Sequence, residues 1–249
     1  MAIRKLTGLL LALLLPALVA IARAQAAPSK SASEECLTAI AAAEHHNTTP
    51  PGLLAVIAKV ESGRTTSSGT LQPWPWTVDA DGQGIFFATK QQAVAWSRQA
   101  LDTNAVTFLD VGCMQIDLRM HPNAFRNLDE AFDPALNADY GARFLRQLHD
   151  SVAGGNWFTA IGMYHSQTPI LAAMYRERVA AVGAGLPPPA MPSEHLATMR
   201  LDLAGGGVLR INVNRQPARV HRHLSACQIA AILGSYLPRQ VAGCTASHR

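Results

Sequence analysis

The feature that most constrains this chain is a succession of helix-start and helix-stop signals at short intervals. Ser33 followed by Glu34 and Glu35 reads as a capped helix start, and the Ala-rich stretch behind it continues to about Glu44 before Asn47 to Pro51 interrupts it. Pro50 and Pro51 open a second helix, in which Leu53, Val56, Ile57 and Val60 recur at the spacing of one buried face, and Gly63 ends it. Thr89 caps a third that runs to about Leu101. Asp133-Pro134 has the N-cap and first-turn chemistry of a helix reaching about Asp150, with Leu136, Tyr140, Phe144, Leu145 and Leu148 on one side. Asn156 starts another through Tyr164, and Thr168-Pro169 one more through about Val182.

Between the second and third helices, Trp76-Thr77-Val78 and Ile85-Phe86-Phe87 flank Asp79 to Gly84, the pattern of a small β-hairpin too short to make a sheet core. Asp110 to Ile116 is apolar and contains Gly112; it reads as a loop entering a short helix. The expected fold is therefore mainly α, a helical domain with a small β-hairpin and a partly ordered C-terminal tail. About 150 residues of body bury a sufficient core on their own. Gly183-Ala184-Gly185-Leu186-Pro187-Pro188-Pro189 signals its end. Beyond it, only Val208 to Val213 alternates like a strand.

Residues 1–24 carry Arg4 and Lys5, then the apolar run Leu9 to Leu15, then Ala22-Arg23-Ala24, which fits a small-residue cleavage site. That is the pattern of a secretory signal, and the core falls short of the roughly 20 apolar residues a membrane span needs. The expected organisation is signal peptide 1–24, linker 25–33, main domain 34–186, and Pro-rich linker with basic tail 187–249. The formal charge of +4 includes three cations of the signal, leaving +1 for the remainder. The positive charge gathers in residues 195–249, where seven arginines face the single acid Asp202. For an exported, periplasmic protein the anionic partners that such a tail fits are cell-wall polymers or a membrane surface, with nucleic acid not expected.

In an oxidising compartment the four cysteines read as disulfides rather than metal ligands, since no C-x-x-C spacing occurs. Three pairings are open, and locality favours Cys36 with Cys113 and Cys227 with Cys244. The nine histidines show no H-E-x-x-H spacing, so no metal is expected.

Chemistry concentrates at Val60-Glu61-Ser62-Gly63, where an acidic residue ends an apolar helix. Partial burial and the negative end of the helix dipole both raise such a carboxyl's pKa. A carboxyl protonated near neutrality suits a general acid that protonates the oxygen of a departing sugar. Taken alone, the tetrapeptide is more often an ordinary solvent-facing helix end. Gly112-Cys113-Met114-Gln115-Ile116 and Ala160-Ile161-Gly162-Met163-Tyr164-His165 follow it at similar intervals.

Together these three blocks resemble the catalytic domain of the soluble lytic transglycosylases, relatives of goose-type lysozyme, whose blocks read approximately E-S-x or E-S-G, G-L-M-Q-I and A-x-x-x-Y-N. The resemblance covers roughly residues 35–180 and implies that the domain 34–186 is a lysozyme-like catalytic domain. It implies Glu61 as the catalytic acid/base, Ser62 near the sugar's N-acetyl group, Met114 and Gln115 in the block lining the glycan groove, and Tyr164 with its hydroxyl close to the catalytic carboxylate. Cys113 stands where leucine is usual, which suits a disulfide to Cys36. His165 stands where asparagine is usual, as a substrate contact or as a structural histidine. Trp74-Pro75-Trp76 and Tyr164 to Pro169 resemble small exported members tied to flagella or secretion systems.

Glycosidases normally use two carboxyl groups. Asp110 and Asp117 flank the second block and are the nearby candidates for a second one. The resemblance implies instead that the N-acetyl carbonyl of N-acetylmuramic acid assists and that the sugar's own C6 hydroxyl closes a 1,6-anhydro ring, a lyase reaction without water, metal or cofactor. Two further readings remain open. One is a hydrolytic muramidase using Glu61 with Asp110 or Asp117; the other is an inactive peptidoglycan-binding assembly protein. Trp74, Trp76, Phe86 and Phe87 read either as a platform for sugar rings or as hairpin packing.

Overall fold

The structure is a computed structural model that describes residues 31–190 and the two strands 198–202 and 208–212. The expected signal, residues 25–30 of the expected linker, and Cys227 and Cys244 lie outside the described residues. In chain order the described elements are α1 (Ala32–His46), α2 (Leu53–Glu61), β1 (Gly63–Thr65), β2 (Leu71–Pro73), β3 (Thr77–Ala80), β4 (Gln83–Phe86), α3 (Lys90–Asp102), β5 (Leu109–Val111), β6 (Ile116–Asp117), α4 (Leu128–Ala131), α5 (Pro134–Gln147), a π-helical turn at Leu148–Val152, α6 (Trp157–His165), α7 (Pro169–Gly183), β7 (Thr198–Asp202) and β8 (Val208–Asn212). The chain is mainly α with small antiparallel sheets, as its helix signals indicate.

Most starts fall where local chemistry puts them. Thr89, Asp133 and Asn156 each accept a backbone N–H of their own first turn. The first helix starts two residues earlier than expected: Ser31 is its N-cap and forms a reciprocal capping box with Glu34, so Ser33 lies inside the helix. Serine and glutamate three apart satisfy two orphan donors at once, and Ser33 has no such partner at that spacing.

Two corrections concern the middle of the chain. Asp110 to Ile116 is not a loop entering a helix. Leu109–Val111 and Ile116–Asp117 are strands joined by a tight turn, and they extend the β3–β4 hairpin into a four-stranded sheet of order β4-β3-β5-β6. In α5, Leu136 is exposed and its neighbour Asn137 is fully buried, so the helix turns a polar residue inward where the apolar pattern offers a leucine.

One core joins α1, α2, α5, α6 and α7 around Ile40, Leu53, Ile57, Leu145, Ile161 and Tyr175. A smaller one lies between the four-stranded sheet and α3, around Val78, Val94, Val111 and Phe132. The Cys36–Cys113 disulfide is present and ties α1 to the β5–β6 turn across a sequence separation of 77. The expected strand in the tail is β8, paired antiparallel with β7.

Helix α2 is held at both ends. Its N-cap is Gly52 at φ +80°, which has no side chain to satisfy the first turn. The buried carboxylate of Glu44 does so from α1, accepting the N–H groups of Gly52 at 2.8 Å, Leu54 at 2.7 Å and Ala55 at 3.3 Å. Charge-assisted bonds at a helix N-terminus are the strong kind. Glu44→Ala is therefore expected to destabilise the domain by about 3 kcal/mol, the scale of a lost hydrogen-bonded charge, whereas Glu35→Ala, at a half-buried position of α1 that takes no part in this cap, changes stability little. Urea unfolding of the two variants measures the difference.

Candidate active site

Glu61 is the last residue of α2, and its environment combines exclusion of water with a single strong donor. The hydroxyl of Tyr175, from α7, donates a short hydrogen bond to Glu61 Oε1. The residue keeps part of its surface exposed while its carboxyl end is enclosed. Loss of solvation raises the Glu61 pKa from 4.5 to about 7; the Tyr175 bond and the Arg178 charge pull it down, and the Asp79 carboxylate pushes it up. Burial wins, so the group is poised to give and take a proton near neutrality.

Ser62 follows as the C-cap and is fully buried. Its hydroxyl donates to the Cys113 carbonyl at 2.7 Å, lies 3.2 Å from that of Ala58, and accepts from the Trp74 N–H at 3.3 Å. Ser62 thus fastens the end of α2 to the second block and to the segment after β2. Its Oγ is engaged inside the protein rather than facing a groove.

The second block is a turn built around strain and one buried amide. Gly112 sits at φ +84°, where a Cβ would come within 2.3 Å of the Asn137 side chain, so only glycine fits. Asn137 explains the inward polar residue of α5: its Oδ1 accepts the Met114 N–H at 2.8 Å, and its Nδ2 donates to the carbonyls of Val111 at 2.9 Å and Ala131 at 3.0 Å. Gln115 holds the left-handed conformation at φ +48°, and its Nε2 donates to the Thr77 carbonyl at 3.1 Å and that of Gly112 at 2.9 Å. Non-glycine residues in that region persist where their surroundings over-determine them. Met114 is fully buried against Gly141 of α5, where a Cβ would come within 2.8 Å of its Cγ.

Tyr164 is buried, and its hydroxyl donates to the Met114 carbonyl at 3.0 Å. Burial raises its pKa well above the ordinary tyrosine value, and the charge of Glu61 adds to that. The tyrosine bonded to Glu61 is Tyr175. It was not among the residues singled out from sequence, although Ala172, Tyr175 and Val179 share the buried side of α7 and only the middle one carries a polar tip. His165 ends α6 and stacks on the ring of Tyr175.

Strand pairing sets Asp79 opposite Asp110 and Asp110 opposite Asp117, a row of three carboxylates across the sheet. Asp117 caps its own turn, accepting the N–H groups of Arg119 at 2.7 Å and Met120 at 3.2 Å. The aromatic residues divide. Trp76 and Phe87 pack on the smaller core. Trp74 donates its indole N–H to the Phe87 carbonyl at 2.7 Å and carries the Arg64 guanidinium 4.5 Å over its ring. Phe86 is the exposed one. No group of three or more His, Cys, Asp or Glu suited to hold a metal occurs among the described residues.

A stability measurement isolates the cost of burying Glu61. Its folded pKa lies above the unfolded value, so the folded protein binds more protons between 4.5 and about 7 and stability falls as pH rises through that window. Below the window the carboxyl is neutral in both states and the cost vanishes. Glu61→Gln removes the titration. It is expected to match wild type under acid conditions and to exceed it above pH 7 by at most on the order of 3 kcal/mol, read as a difference in unfolding free energy across pH.

Among models of protein families, the one described as the transglycosylase SLT domain matches residues 38–173, more than half of the chain's 249. The chain matches no curated protein and no solved structure.

Proposed function

The chain belongs to the transglycosylase SLT domain family, and from that premise we propose that it cleaves the β-1,4 bond between N-acetylmuramic acid and N-acetylglucosamine with Glu61 as acid and base. Membership carries the broader statement: a peptidoglycan-degrading function of the lytic transglycosylase type, exercised where peptidoglycan lies, outside the cytoplasm or in the periplasm. Among the described residues no helix is long and apolar enough to cross a membrane.

The observation that supports the finer reading is the Glu61 carboxyl, poised at about pH 7 by burial and met on one oxygen by the Tyr175 hydroxyl. Protonated, it gives its proton to the glycosidic oxygen as the bond breaks. Ionised, it takes the proton of the muramic acid C6 hydroxyl, which attacks the anomeric carbon and closes the 1,6-anhydro ring. The substrate's N-acetyl carbonyl shields the developing charge between the two steps, and the cycle ends with Glu61 protonated again. No metal or cofactor enters. In this reading Ser62, Met114 and Gln115 act chiefly by holding the floor of the site, and Tyr164 by bonding that floor from beneath.

A hydrolytic reading keeps one supporting observation, the row Asp79, Asp110 and Asp117 on the neighbouring sheet, of which Asp79 raises the Glu61 pKa. A carboxylate there would activate water in place of the C6 hydroxyl. Export with removal of residues 1–24, a catalytic unit of residues 34–186 with a separate basic tail, and recruitment to an envelope-spanning assembly belong to the same proposal and rest on sequence.

Glu61→Gln keeps the side chain's shape and loses its proton, so it is expected to cut the clearing of purified peptidoglycan by at least about a hundredfold while circular dichroism stays native. Wild-type clearing by the folded variant would refute the assignment. The wild-type rate is expected to fall as pH rises through about 7, because the ionised carboxyl has no proton to give to the leaving oxygen.

A further inference from the structure

His165 carries a role that neither the family match nor the proposed reaction assigns. Its imidazole lies flat against the Tyr175 ring, with centroids 4.9 Å apart and planes 9° from parallel. Tyr175 is 1% exposed, and its hydroxyl donates to Glu61. Three side chains from three helices therefore stand in series: the imidazole at the end of α6, the phenol in α7 and the carboxyl at the end of α2.

The hydroxyl bond fixes the tip of Tyr175 but leaves the ring plane to its neighbours, since the torsion that turns an aromatic ring has broad minima. A flat aromatic partner fixes that plane, because parallel displaced rings attract while sliding or tilting loses contact. An asparagine, usual at this place in the sequences that the third block resembles, has no ring to lay on the phenol. We propose that His165 is a positioning residue for Glu61, acting through the ring of Tyr175 rather than on the sugar. Where the phenol swings, Glu61 loses its strongest donor and its carboxyl no longer points along the path of proton transfer. The other groups acting electrostatically on Glu61 are Arg178 from α7 and Asp79 from β3, and Glu61 in turn acts on Tyr164 from α6.

The kinetic consequence rests on the reading of Glu61 as acid and base, but its titration does not. The test therefore has two arms, both on the full chain with folding checked by circular dichroism. In the first, the Glu61 carboxyl is titrated by carbon-13 NMR, its resonance assigned by loss in Glu61→Gln. Tyr175→Phe sets the direction: without the donated bond the ionised form is less favoured and the midpoint rises. His165→Ala is expected to move the midpoint the same way, and His165→Phe, which keeps a flat ring, to restore it towards wild type. In the second arm, His165→Ala is expected to lower kcat about tenfold on glycan strands at unchanged KM, the mark of lost alignment rather than lost binding, with His165→Phe recovering most of that loss.

An unmoved Glu61 midpoint in His165→Ala overturns the proposal. So does a raised KM at constant kcat, which would make His165 a sugar contact, and so does a failure of phenylalanine to rescue. A shifted midpoint in a protein that leaves glycan strands intact would support the positioning role and refute the proposed reaction, so the two are separable.

Discussion

Fixing α2 at both ends is the constraint on which the rest of the site depends. At its start the Glu44 carboxylate takes three backbone N–H groups that Gly52 cannot cap. At its finish the Ser62 hydroxyl joins the helix to the Cys113 carbonyl and to Trp74. Between these points Leu53, Leu54, Ile57 and Ala58 are fully buried, so the nine-residue helix has no freedom to slide or roll. A carboxyl on its last residue then sits where the packing puts it. The disulfide reinforces the same junction, since Cys113 is both its second half and the acceptor of the Ser62 bond. A bridge closing so long a loop acts mainly on the unfolded chain, and here it also borders the turn that carries Met114 and Gln115.

What the position does to the carboxyl is a contest. Removal from water raises the pKa, and the Tyr175 hydroxyl and the Arg178 charge oppose that rise without cancelling it. Were the opposing groups stronger, Glu61 would be a permanent anion with no proton to give. Were they absent, it would stay neutral and accept none. A midpoint near 7 lets one residue serve as acid and then base, and this economy suits a site in which Asp117 is already spent on capping its own turn.

The sequence made the helices legible because their signals are short-range. Asp133-Pro134, Asn156 and Thr89 act within a turn of themselves, and each caps as its chemistry requires. Leu109–Val111 and Ile116–Asp117 were illegible because strands of two or three residues have no period to detect; the first pairs with β3, some thirty residues back, the second pairs only with the first, and only pairing defines them. Glu61 was legible as an acid at the end of an apolar helix. Its donor was not: Tyr175 is 114 residues distant along the chain and reads locally as a core aromatic. Asn137 was hidden in the same way, because the turn it satisfies lies on another element and the apolar pattern of α5 gave its inward place to Leu136. Long-range polar contacts of this kind leave little trace in local periodicity, and in this protein they build the site.

In the proposed reaction one carboxyl suffices because the substrate supplies its own nucleophile. Mass analysis of the muropeptides released from purified peptidoglycan, before and after borohydride reduction, tests it most directly. A well-placed intramolecular hydroxyl reaches an effective molarity on the order of 10⁵ M or more, far above that of bulk water. The released ends should therefore be 1,6-anhydro-N-acetylmuramic acid, one water lighter than hydrolytic products and inert to borohydride. A digest dominated by reducible ends would contradict the account and give the second role to a carboxylate of the Asp79, Asp110 and Asp117 row.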